Sequence, residues 1–263
     1  MHHIKRLVTA AVLVPVFYLY ITRLPAFWFD ALVIVMGLAA LWEFLSFYRA
    51  GRKMKLAGMG FCLVLLVPQA VAGRTFPGLF AALVMVFAVL RLFAGGPKEA
   101  LAEISAPVIS LLYIPGLLLY QMFLRGAGAQ WIIFLYGTVW IGDSFALYTG
   151  QLIGKRKLYQ QVSPNKTVEG AAGSVIGGAA AGLAAGAVFH LGVSCAAAAA
   201  LGAFMGTTAI IGDLVESMFK RDAEVKDSGH FLPGHGGMLD KLDGPLLSAP
   251  LLYWCLLLMG VRL

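Results

Sequence analysis

The sequence predicts an all-α, polytopic integral membrane protein, and three observations point to that class. Hydrophobic residues fill 60% of the 263 positions and charged residues only 13%, where a soluble domain carries about 25% charged residues. The apolar residues fall in repeated runs of roughly 17 to 25, each long enough to cross a hydrocarbon core of about 30 Å. The basic residues gather in alternate connections between these runs, as the positive-inside rule requires of a multi-pass chain.

Taken in order, nine spans are expected, at about 4–21, 27–48, 56–72, 76–93, 101–123, 131–152, 168–191, 196–215 and 245–261. The first has the charge order of a signal peptide, with Lys5-Arg6 ahead of an apolar run. Its end, Tyr18-Leu19-Tyr20-Ile21, offers no small-residue cleavage site, so it reads as a retained helix. With the N-terminus inside, the inner segments hold 16 Lys and Arg, against four outside at Arg23, Arg74, Arg125 and Arg262. The C-terminus is therefore expected outside, and the net charge of +7 reflects topology and anionic lipid rather than nucleic acid. Gly173, Gly177, Ala181 and Ala185 recur four apart and favour close helix packing in the seventh span. Cys62, Cys195 and Cys255 stand singly in apolar runs, a spacing that gives neither a zinc site nor a disulfide framework. Asp30 and Glu43 lie near the ends of the second span and receive no site role. No linker or repeat divides the chain, which reads as one domain over 1–263, with N-terminal helices to about 130 and the polar motifs beyond.

The stretch 213–243 breaks the apolar pattern, holding 11 of the 33 charged residues in 31 positions. Asp213, Glu216 and Lys220 recur at i, i+3 and i+7 and share a helix face. Lys220-Arg221 and Lys226-Asp227 follow, then the Gly-rich run 232–237 with His235, Gly236 and Gly237. Such a run lets backbone N–H groups approach a phosphate. His235 fits a ligand, an acid-base group or a loop-structuring hydrogen bonder equally well. Asp240 and Asp243 are three apart, so a helical turn aims both at one point, as a hard cation such as Mg²⁺ requires. Together these groups suggest a metal–polyphosphate site.

A second informative stretch runs over 140–170. Asp143 lies inside an apolar span, where an ionisable group is costly and is functional or paired. Ser163-Pro164-Asn165-Lys166-Thr167 reads as a turn entering the next helix, bringing hydroxyls, an amide and an ammonium to a positive helix end. Glu169 suits either the site or the first-turn macrodipole, and Lys155, Arg156 and Lys157 read as headgroup anchors.

The two stretches together resemble the CDP-diacylglycerol synthases, also called phosphatidate cytidylyltransferases. The resemblance rests on Ser217, Lys220-Arg221, Lys226-Asp227, Ser228, Pro233-Gly234-His235-Gly236-Gly237 and Asp240-Lys241-Leu242-Asp243. The block from Asp143 through Ser163-Pro164, Lys166-Thr167 and Glu169-Gly170 is similar to the family's other conserved region. Lys241 departs from it, standing where the family usually has Arg. Lysine keeps the charge and loses the planar bidentate fork.

The resemblance implies conversion of CTP and phosphatidate to CDP-diacylglycerol and pyrophosphate, with a divalent metal, usually Mg²⁺ and in some cases a second cation, in a dimeric inner-membrane protein with its site facing the cytoplasm. On that reading Asp213 and Asp240 are the leading metal ligands, with Asp227 and Asp243 behind them. Asp240, Asp243, Lys226, Asp227 and His235 form the catalytic group. Asp143, Ser163, Lys166, Thr167, Lys220, Arg221, Gly236 and Gly237 bind substrate. Two rival readings use the same residues: a secondary transporter of a phosphorylated solute, coupled through Asp143 and Asp213, and a CTP-dependent transferase acting on another lipid phosphate.

Overall fold

The computed structural model describes residues 14–74, 78–93, 99–226, 229 and 237–261. Helix dominates: α1 (described over 14–23), α2 (Ala26–Phe47), α3 (Arg52–Ala72), α4 (Gly78–Leu92), α5 (Ala100–Tyr113), α6 (Pro115–Ala127), α7 (Ala129–Ile153), α8 (Val168–Val188), α9 (Cys195–Asp222) and α10 (Leu239–Leu258). Between α7 and α8 lies a short antiparallel hairpin, β1 (Lys157–Tyr159) and β2 (Ser163–Thr167), paired Lys157 to Thr167 and Tyr159 to Ser163. Among the described residues, six segments are long and apolar enough to cross a membrane: α2, α3, α5 with α6, α7, α8 and α9. The chain is thus an all-α membrane protein apart from the hairpin.

Three expectations need correcting. The span expected at 101–123 is broken, because Pro115 cannot donate to the helical ladder and starts α6 at its first position after the kinked Ile114. The span expected to end at 215 continues as α9 to Asp222, a 28-residue helix of about 42 Å. Its charged last turns therefore extend past the hydrocarbon. The turn expected at 163–167 is strand β2, held by Lys157 and by the Val168 N–H donating to the Arg156 carbonyl at 2.9 Å. As an edge strand, it tolerates Pro164.

Two packing styles meet in this bundle. Helices α2 to α6 are held by large side chains, with Phe29, Phe44, Leu66 and Phe87 almost wholly buried. Helices α7, α8 and α9 lie backbone to backbone. A Cβ on Gly173 or Gly177 would strike Thr149 or Phe145 of α7, and one on Gly178, Gly182, Gly202 or Gly206 would strike backbone across the α8–α9 contact. The four-residue spacing at Gly173 and Gly177 thus serves α7. An adjoining stripe, which begins at Ser174, serves α9, and the Ser174 hydroxyl donates to the Gly206 carbonyl at 3.0 Å. Helix α10 packs on α9 and α6, with Thr208 and Ser248 hydrogen-bonded at 2.7 Å in the buried seam. Buried Tyr136 of α7 donates to Gln121 of α6 at 2.8 Å. All three cysteines are free.

The short loops follow backbone chemistry. Gly73 takes the left-handed conformation that ends α3, and Gly128, at φ 145°, joins α6 to α7. Arg125 donates to the carbonyls of Ile21 and Leu24 at 3.1 Å each, tying the end of α6 to the end of α1.

Candidate active site

A cavity of about 850 Å³ opens where the C-terminal ends of α7 and α9 meet the hairpin and the N-terminal ends of α8 and α10. Its wall carries Asp143, Gln151, Ser163, Asn165, Lys166, Thr167, Asp213, Asp240, Lys241 and Asp243 among apolar and glycine positions such as Leu147, Gly150 and Ile210. The N-terminus of α8 presents the positive end of its macrodipole to this space, an arrangement that favours anions.

Each wall element is fixed locally. Thr167 caps α8, its hydroxyl accepting the Gly170 N–H at 3.0 Å, and it is nearly buried among Gly150, Gly154 and Gly170. Glu169 binds the chain entering the hairpin: one oxygen accepts the N–H groups of Lys155 and Arg156 at 3.1 and 3.2 Å, and the other accepts the Arg156 side chain at 3.1 Å. Glu169 is therefore a structural clip, and Arg156 is spent partly on it. Arg221 donates to the Val162 carbonyl at 3.3 Å and ties α9 to the hairpin. Lys166 of β2 then reaches across the cavity to pair with Asp213 of α9, whose other oxygen accepts the Ser217 hydroxyl at 3.2 Å.

The start of α10 is held from two sides. Lys220 pairs with Glu216 one turn away at 2.9 Å and with Asp240 at 2.7 Å, and the second Asp240 oxygen accepts the Gly237 N–H at 2.8 Å. Glu43 of α2 accepts the N–H groups of Met238 and Leu239 at 2.9 Å each. At the other end of the same connection, Tyr48 donates to Asp222 at 2.9 Å. Burial and the Asp222 carboxylate together push the Tyr48 phenol above its usual range. A second, mainly apolar cavity of about 420 Å³ lies beside this pair, on the face of α9 that carries Met218 and Phe219.

Asp143, Asp213 and Asp243 interact electrostatically across the main cavity, with Lys166 as a counter-charge. Like charges held together in partly dry surroundings repel unless a cation or a cationic side chain stands between them. Among the described residues no three ligating side chains enclose a metal by themselves. A hard cation that keeps several waters and takes only one or two carboxylates fits this oxygen-rich wall.

The chain matches the cytidylyltransferase family model over residues 4–259. It belongs to that family. Among its relatives, the phosphatidate cytidylyltransferase of Bacillus subtilis strain 168 is 31% identical over 267 aligned positions, which cover 97% of this chain and 98% of that protein. The phosphatidate cytidylyltransferase of Mycobacterium bovis is 35% identical over 188 positions, 65% of this chain and 60% of the relative. That of Brucella abortus biovar 1 is 40% identical over 153 positions, 56% of this chain and 55% of the relative.

In this cytidylyltransferase-family chain, Asp143, Ser163, Lys166, Thr167, Asp213, Asp240 and Asp243 all reach one cavity wall, although they come from distant parts of the sequence. Lys220, Arg221, Lys226 and Gly237 do not line it: Lys220 serves Glu216 and Asp240, Arg221 serves the hairpin, and Lys226 is exposed beyond α9. Asp227, His235 and Gly236 lie outside the described residues. The sequence reading misses two contributors. Gln151 lines the wall near the end of α7, on the helix face that also holds Asp143 and Leu147. The i, i+4 and i+8 spacing of those three residues is the signal that could have found it. Glu43 has no such signal, because its partners lie 195 and 196 positions away.

Proposed function

We propose that the chain is a phosphatidate cytidylyltransferase of a bacterial inner membrane, transferring the cytidylyl group of CTP to phosphatidate to give CDP-diacylglycerol and pyrophosphate in phospholipid biosynthesis. The observation that carries this reading is the convergence of Asp143, Asp213, Asp240 and Asp243 with Lys166 and Lys241 on one cavity, in a chain that follows the cytidylyltransferase family almost end to end. The full-length relative from Bacillus subtilis bears that activity as its name.

The chemistry asks little of a base. A phosphate oxygen of phosphatidate, already anionic, attacks the α-phosphorus of CTP; the new P–O bond forms as the bond to the β-phosphate oxygen breaks, and pyrophosphate leaves with that electron pair. Catalysis then rests on in-line positioning and on neutralising the charge of the phosphates. Lys166 and Lys241 supply positive charge at the wall, the N-terminus of α8 adds its macrodipole, and Ser163, Asn165 and Gln151 offer hydrogen bonds for orientation. Lys220 keeps Asp240 in place from behind. Bound Mg²⁺, held by Asp213 with Asp143, Asp243 or Asp240, would supply the remaining charge neutralisation.

The proposed topology has nine passes, counting α5 with α6 as one broken pass, with the N-terminus and the cavity cytoplasmic and the C-terminus outside. It is supported by the sidedness of the basic residues and by the length of α9. We place two copies in a homodimer. A carrier of a phosphorylated solute is less well supported, because the polar groups collect at one end of the bundle while alternating access needs a midplane site.

The direct test gives purified protein CTP labelled in the cytidine, phosphatidate and Mg²⁺, and follows the label into the organic phase with and without chelator. Chelator-sensitive lipid label with released pyrophosphate supports the reading. Absence of label from folded protein across several lipid phosphates overturns it.

A further inference from the structure

The last two turns of α2 reach both ends of the connection between α9 and α10, and one side chain there has no task of its own in the membrane. Glu43 is buried at 7% exposure, and its two oxygens accept the Met238 and Leu239 N–H groups at 2.9 Å each. Gly229, in the middle of the same connection, lies so close that a Cβ there would come within 2.8 Å of the Glu43 carboxylate. A carboxylate is costly to bury without partners. This one is matched by the otherwise orphan amides of a helix N-terminus, where negative charge is favoured.

We propose that Glu43 is a positioning residue for the transfer reaction, acting as a cap supplied from another helix that fixes the angle and register at which α10 enters the site. The assignment rests on the cytidylyltransferase reading of the cavity. The first five residues of α10 include Asp240, Lys241 and Asp243, so the placement of this helix start decides where three charged groups meet the triphosphate. Helix α10 has no side-chain cap of its own at Met238. The Lys220–Asp240 pair fixes one side chain of that turn, while Glu43 fixes the backbone that carries all three.

The test deletes the contact from each side. Glu43→Gln keeps the size and replaces the two-oxygen acceptor by one acceptor and an NH₂ group that opposes an N–H. Met238→Pro removes one of the two donors, and the native φ of −68° at Met238 already suits proline. Cytidylyl transfer is measured for wild type, both single variants and the double variant, with each preparation normalised to folded protein by thermal unfolding in detergent. Each single variant is expected to lose about tenfold in kcat, a loss of transition-state positioning worth roughly one decade of rate, with the KM for CTP little changed. The double variant is expected to be no worse than the poorer single, as for two halves of one contact. Wild-type kcat in the variants, or losses that multiply in full, would overturn the assignment. Should Glu43→Gln not fold, unchanged kcat in Met238→Pro overturns it alone. Wild-type protein that transfers no cytidylyl group instead overturns the functional reading beneath it.

Discussion

The two halves of this bundle solve the same packing problem with opposite materials. Helices α2 to α6 interlock bulky residues such as Phe29, Phe44, Leu66 and Phe87, whereas α7, α8 and α9 bring backbones together over Gly173, Gly178, Gly202 and Gly206. Bulky side chains change rotamers and accommodate; backbones in contact do not. The cavity stands at the end of the small-residue half, where the positions of Asp143 and Asp213 follow the helix axes directly and Lys166 follows the hairpin joining α7 to α8. The large-residue half contributes a brace, with Glu43 and Tyr48 gripping the two ends of the α9–α10 connection. Rigidity is concentrated where charges must be placed, and adaptable packing fills the remainder.

Perturbing each half separately sharpens that contrast. The largest effect belongs to the site itself: Asp240→Asn removes the carboxylate that holds Lys220 and the Gly237 amide. It should abolish turnover while the protein stays folded in the membrane, measured as labelled lipid formed per folded enzyme. Next comes the small-residue contact. Gly202→Ala places a methyl group against the Gly178 carbonyl; neither backbone can yield without parting α8 from α9, at a cost of about 1–3 kcal/mol. Thermal unfolding and activity should fall together. In the other half, Phe87→Ala leaves a cavity costing about 3–5 kcal/mol yet should keep the kcat of the surviving folded protein within a few-fold. If Phe87→Ala lost kcat as steeply as Gly202→Ala, the contrast between the halves would fail. The smallest change is Lys241→Arg, which keeps the charge at the wall and adds a bidentate fork. A rise of no more than about tenfold in kcat/KM for CTP is expected, since one such hydrogen bond is worth about 1 kcal/mol.

What was legible in the sequence was what periodicity and charge can encode. Apolar runs gave the helices, and the spacing of Asp213, Glu216 and Lys220 placed them on one helix face, where Lys220 and Glu216 indeed pair. The break at Pro115 had a signal, but the Leu-rich hydropathy on both sides masked it. The hairpin had none: Lys157–Tyr159 and Ser163–Thr167 are short, polar and without alternation, and they pair because Thr167 caps α8 and Val168 bonds to Arg156. Lys220 reads in the sequence as a phosphate ligand because its distant partner Asp240 is visible only once α9 and α10 are packed. Glu43 was illegible for the same reason, since its partners are backbone amides almost two hundred positions away.

The most direct test of the central claim is cytidylyl transfer by Asp213→Asn beside wild type, in vesicles with labelled CTP, phosphatidate and Mg²⁺. Asp213 lines the cavity, and its partners among the described residues are the side chains of Lys166 and Ser217, so its replacement by the isosteric Asn reports on chemistry. The expected result is efficient labelling of lipid by the wild type and a fall of at least about a hundredfold in the variant, in keeping with the removal of a charge-stabilising group, at an unchanged unfolding temperature. Equal transfer by the two proteins would contradict the assignment of this cavity as the place where CTP reacts.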